Sequence, residues 1–205
     1  MYLDEQLQKK WKIDASNDEG LLFCHMPEIN NNIYLHRLYK PIGLQYAMEF
    51  EKIIGVELLP ELKDFYNDYN GCRLFHSSIN IFGFDVGESA PMSMPLSHIN
   101  LHRELEKNGN NGDDIVYIGN VGNYLMYYRI NDKNHAIYLS KHGELDVYMK
   151  FLSIKDLLQY YCNALKFEYK EDGYREHPKK DKLYKKFPLL ANSFNGDIDW
   201  EIPQE

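Results

Sequence analysis

Hydrophobic positions recur at two different spacings along this chain, and the change from one to the other outlines its elements. From Leu44 to Ile54, the residues Leu44, Ala47, Met48, Glu51 and Ile54 stand three and four apart, the period of a helix face, and Gly55 marks its end. A second helix is expected from Pro60 to Tyr69. Proline is tolerated in the first turn, where its missing N–H costs nothing, and Leu62, Phe65, Tyr66 and Tyr69 form one apolar stripe before Asn70-Gly71. The pattern then shifts to short apolar and alternating runs. Arg73–His76, Ile79–Phe84, Ile115–Gly119, Tyr124–Ile130, His135–Leu139 and Leu145–Met149 read as strands. Asn131-Asp132-Lys133-Asn134 has the composition of a hairpin turn.

Short loops between consecutive strands imply an antiparallel meander. Between the two groups of strands, Ser97 is placed to cap a helix over His98–Lys107, ended by the Asn/Gly cluster at 108–112. A closing helix is expected from Ser153 to Lys166, with Ile154, Leu157, Leu158, Tyr161 and Leu165 inward. The fold class is therefore α+β, an antiparallel sheet meander with helices packed against it.

The ends are less regular. Residues 1–43 read as an N-terminal extension packed on the domain, with a short helix ending near Lys9–Ile13, a brief strand at Leu21–His25 and another at Ile33–Tyr39. Residues 44–166 form the main domain. Residues 167–205 are a tail whose Phe187, Leu189-Leu190, Phe194 and Trp200 carry enough apolar surface to dock back onto the body.

Composition narrows the function. A formal net charge of −8 argues against nucleic-acid binding, which needs basic surface to displace counterions. The excess is uneven: the Lys-rich stretch 179–186 is followed by 187–205, which contains acids but no Lys or Arg. Mean hydropathy is −0.55 and no apolar run is long enough to span a bilayer. The start of the chain lacks the pattern of a signal peptide, and three widely spaced cysteines form no disulfide or metal-ligand framework. A cytoplasmic protein is expected. Seventeen tyrosines suit both strands and interfaces.

Candidate chemistry is sparse. His98 and His102 share the i, i+4 spacing of a metal-binding helix, but no glutamate base lies between them and no third ligand is evident. Cys24-His25 are strand neighbours that point to opposite faces, and Gly119-Asn120-Val121-Gly122 lacks a following Lys-Ser/Thr and reads as a turn. Asp113-Asp114 follow an Asn/Gly loop and read as exposed carboxylates. No catalytic residue, cofactor or metal site is expected.

The order of these segments carries a resemblance. Leu59-Pro60-Glu61-Leu62-Lys63-Asp64-Phe65 leads to Tyr69-Asn70-Gly71 and then to Phe82-Gly83-Phe84. Asp114–Gly119 and Gly122–Tyr128 follow as a strand delivering a glycine and a strand of aromatic and aliphatic residues. Over about Leu44 to Lys166, this order resembles the SUKH superfamily, which includes bacterial immunity proteins against polymorphic toxins, frequently nucleases, and yeast cell-wall synthesis regulators. The chain departs from that pattern at both ends, and in Tyr127-Tyr128-Arg129, where relatives often carry an acid. The resemblance implies a protein that docks other proteins. The leading expectation is an immunity protein that neutralises a cognate toxin; the alternative is a regulatory scaffold for an endogenous partner. Asp85, Glu88, Asp113 and Asp114, all in expected loops, are the candidate contacts, since loop acids beside tyrosines would complement a basic nuclease.

Overall fold

The computed structural model describes residues 3–30, 32–85, 94–100, 114–141 and 146–176. They form one nine-stranded sheet in which every neighbouring pair is antiparallel and strand order follows chain order. The strands are β1 (Ile13–Asn17), β2 (Gly20–His25), β3 (Tyr34–Tyr39), β4 (Cys72–Leu74), β5 (Ile79–Ile81), β6 (Ile115–Val121), β7 (Tyr124–Arg129), β8 (Ile137–Lys141) and β9 (Met149–Phe151). The described helices are α1 (Leu3–Gln8), α2 (Leu44–Ile54), α3 (Pro60–Asp68), α4 (Leu96–Ile99) and α5 (Ile154–Leu165). The α+β class and the consecutive pairing of β6 through β9 agree with the sequence pattern.

Segment 1–43 supplies β1, β2 and β3 to the same sheet as the later strands. β1 has no apolar alternation to announce it, because it is an edge strand whose residues are half-buried or exposed. The run expected at Leu145–Met149 pairs later than anticipated: Met149 faces Leu139, while Val147 and Tyr148 stay outside the strand and exposed. α4 is short and starts after Pro95 rather than at Ser97; the rest of the helix expected over His98–Lys107 lies outside the described residues, as does the tail from 177.

One cluster of buried hydrocarbon and aromatic side chains joins the helices to one face of the sheet. α3 buries Leu62, Phe65 and Tyr66 as its stripe requires, and the Tyr66 hydroxyl donates to the Phe82 carbonyl at 2.8 Å. α5 buries the whole expected set, and its Ser153 side chain accepts from the Asp156 N–H at 3.0 Å, an N-cap. Glu61 on α3 accepts from the Ile154 N–H at 2.8 Å, so one helix satisfies an orphan donor of the other. α2 is rotated from its expected face. Ala47, Phe50 and Ile54 are buried, whereas Leu44 and Met48 are exposed, because Phe50 fills the space against Phe84.

Two glycines permit close backbone approach. A Cβ on Gly119 would lie 2.2 Å from the Asn80 carbonyl oxygen on the neighbouring strand. Gly71, at φ 89°, turns the chain from α3 into β4 against the Ile81 carbonyl. The stretch read as a glycine turn is thus mostly strand: Gly119 to Val121 belong to β6, and the turn itself begins at Gly122.

Candidate partner-binding surface

Alternation along each strand sends every second side chain away from the helices. On β7, Tyr124, Met126 and Tyr128 enter the helix-side core, while Tyr127 joins Ile115, Ala136 and Tyr138 in a separate cluster on the opposite face. Among the described residues no helix contributes to that second cluster.

This outer face has two regions. In the first, Tyr127 and Tyr138 stack with ring centroids 5.6 Å apart, and Tyr117 meets Tyr127 edge-on at 5.9 Å. The Arg129 guanidinium lies 6.0 Å and 5.8 Å from the Tyr127 and Tyr138 ring centres, and the Lys150 ammonium lies 5.3 Å from the Tyr138 ring. Asp132 organises the turn beside it, accepting from the Asn134 and Ala136 N–H groups and the Tyr138 hydroxyl. These donors hold its carboxyl down at about 2. The Tyr127 hydroxyl is buried with no hydrogen-bond partner among the described residues.

The second region is a transverse polar row. Arg37 faces Arg73, Arg73 faces Asn80, Asn80 faces Asn120, Asn120 faces Leu125 and Leu125 faces Ser140. Two guanidinium groups directly across a strand pair repel, and each is anchored by neighbours. Arg37 pairs with Glu19 at 3.1 Å, and Arg73 donates to the Ser77 hydroxyl at 2.8 Å and 2.6 Å. Arg73 is exposed.

Two of the four expected contact residues are described, and both fall at one end of this sheet. Asp85 is exposed just past β5, and Asp114 immediately precedes β6; because these strands are antiparallel neighbours, both lie at the same end. Asp114 is already paired with Arg129 at 3.2 Å, each side chain about one-third exposed. Glu88 and Asp113 lie outside the described residues. The outer cations were missed by sequence reading because Arg37, Arg73, Arg129 and Lys150 come from four strands, and only the pairing register brings Arg37 to Arg73 and sets Arg129 and Lys150 around Tyr138. A weak signal was available: each occupies a polar position in an otherwise apolar alternation.

Burial acts on the cysteines and on His36. Burial pushes the Cys24 thiol up to about 11 and the Cys162 thiol up to about 12, and raises that of Cys72 too. Cys24 donates to the Glu171 carbonyl while His25 stacks on Tyr34 at 4.8 Å, so the two side chains do not form a pair. His36 is fully buried between Trp11 and Phe75, its Nδ1 accepting from the Phe75 N–H, and burial holds it neutral. Among the described residues no group of three or more His, Cys, Asp or Glu is placed to hold a metal. The His98 side chain and His102 lie outside them. No described helix is long and apolar enough to cross a membrane. No protein-family model and no curated protein matches this chain.

Proposed function

We propose that this chain is a SUKH-type immunity protein, acting in the cytoplasm, that binds and neutralises a cognate polymorphic toxin, a nuclease, by direct docking. The observation that carries this reading is the outer sheet face, where the buried Tyr127 and Tyr138 rings and the half-buried Tyr117 underlie Arg129 and the exposed Lys150, with the exposed Arg73 on the same sheet toward β4. Tyr and Arg dominate binding energy at protein interfaces because they combine contact area with few, well-directed polar groups. A rigid sheet, with Tyr127 and Tyr138 as its buried support, holds Tyr117, Arg129 and Lys150 in place with little ordering cost. Asp85, Glu88, Asp113 and Asp114 are proposed as rim charges that steer a basic toxin toward this end of the sheet.

The experiment measures binding rates of the purified chain with the toxin encoded beside it. Charge reversal at Asp85, Glu88, Asp113 and Asp114 is expected to slow association and reduce its salt sensitivity. The pair Arg73→Glu and Lys150→Glu, both exposed, is expected to speed dissociation by about tenfold or more. Absence of binding to that toxin sinks the immunity reading and favours a regulatory scaffold. Binding unchanged by both sets of variants moves the interface off this face.

A further inference from the structure

The clearest concavity lies on the other side of the molecule, between α1 with its following turn and the exposed flank of α5. It has a volume of about 310 Å³, a size typical of small-ligand sites. Leu3, Leu7, Trp11 and Leu158 form its floor. Lys9, Lys10, Lys155 and Lys166 surround it, with Glu171 as the one acid among the described lining residues. Four ammonium groups around one apolar hollow is an unexpected concentration in a chain of net charge −8.

The sequence spacing explains how α5 takes part. Lys155, Gln159, Cys162 and Lys166 recur at helical intervals, so the lysines stand at opposite ends of one flank. At a rise of about 1.5 Å per residue their positions are roughly 16 Å apart along the axis. Lys10 lies at the Lys166 end. Its ammonium donates to the carbonyls of Lys166 and Tyr169, and Trp11 Nε1 donates to the Lys170 carbonyl at 2.8 Å. These bonds bring the turn after α1 against the segment after α5 and build the groove wall. Burial lowers the Lys10 pKa; Glu171 and Glu176 oppose that and Lys166 adds to it. Lys10 is thus committed to the wall, while Lys166 donates to the Asn163 side chain at 2.8 Å and, with Lys9 and Lys155, gives the described lining an excess of positive charge over Glu171 that an incoming anion would complement.

We propose that this groove binds a small amphipathic anion, a medium-chain fatty acid or similar carboxylate. Its chain lies on the Leu3, Leu7 and Leu158 floor, and its carboxylate meets Lys9 and Lys166 beside Lys10. The site is independent of the sheet face assigned to the partner. Apolar burial supplies affinity and the lysines supply selectivity for charge.

The test uses the full chain with dodecanoate below its micelle concentration. Trp11 lines the groove, so its fluorescence in a Trp200→Phe background reports occupancy, and calorimetry gives stoichiometry. Saturable 1:1 binding is expected, with dodecyltrimethylammonium at least about tenfold weaker. The paired variants Lys9→Gln and Lys166→Gln are expected to weaken dodecanoate by about tenfold. Gln159→Glu, at an exposed position of the lining, is expected to weaken it without altering the fold. Lys10 is left intact because it holds the wall. No saturable binding, equal affinity for the cationic analogue, or affinity unchanged in all these variants would overturn the proposal. Failure here leaves toxin binding by the sheet face untouched, so the two readings are separable.

Discussion

The two faces of the sheet solve the same problem, covering a pleated surface, by different means. The helix-covered face is filled by aliphatic and aromatic side chains, among which Tyr66 donates to Phe82 and the buried Asn70 amide donates to the Phe84 carbonyl and accepts from its N–H. His36 Nδ1 accepts from the Phe75 N–H, while its Nε2 has no partner among the described residues. On the outer face the tyrosine rings pack against each other and against cations, and the Tyr127 hydroxyl has no partner among the described residues. Adjacent tyrosines on β7, Tyr127 and Tyr128, therefore serve different surfaces. The lesson is that a tyrosine's role here follows from strand parity and register. The inner face is filled by helix-packed hydrocarbon and the outer face by tyrosines layered with cations, and the difference is open to measurement.

The largest effect should come from the inner face. Phe65→Ala removes a fully buried ring between α3 and its neighbours and should cost about 3–5 kcal/mol in denaturant unfolding. Tyr117→Ala, half-buried on the outer face, should cost about 1 kcal/mol. Equal costs would erase the distinction.

Next comes a pH dependence that belongs to the inner face. His36 is neutral in the folded protein because burial, and His76 nearby, lower its pKa well below 6.5. His76 is lowered in the same direction. The unfolded chain takes up these protons first, so stability is full above about pH 6.5 and falls as pH drops below it. Unfolding curves from pH 7.5 to 5 should show this loss. His36→Asn, which keeps an acceptor near the Phe75 N–H but no titrating ring, should flatten the slope even if it lowers stability overall. An unchanged slope would remove His36 from the account.

A sharper contrast uses one substitution on each face. Tyr66→Phe deletes a made hydrogen bond and should cost about 1 kcal/mol. Tyr127→Phe deletes a buried hydroxyl with no partner and should be neutral or stabilising by up to about 1 kcal/mol. Matching losses at both positions would mean that Tyr127 does find a partner. The smallest effect is expected at Arg129→Gln. Its pair with Asp114 is one-third exposed on both sides, so thermal unfolding should change by no more than about 1 kcal/mol.

What the chain declares by itself is local. Helix stripes repeat every three to four residues and strand faces every two, so α3 and α5, with their buried sets, and the meander from β6 through β8 follow from neighbours in sequence, whereas α3 ends on an extended Tyr69 rather than on the Asn70-Gly71 turn. Where one stripe held more apolar residues than the core needed, as in α2, packing chose the rotation, and Phe50 displaced Leu44 and Met48. β1 was invisible because an exposed edge strand has no buried face to impose alternation. The candidate surfaces were least accessible of all. Arg37 meets Arg73 only through the β3–β4 pairing, and Lys10 meets Lys166 across more than 150 residues of chain. Such encounters depend on closing long loops into one register, and no local periodicity encodes which side chains that closure brings together.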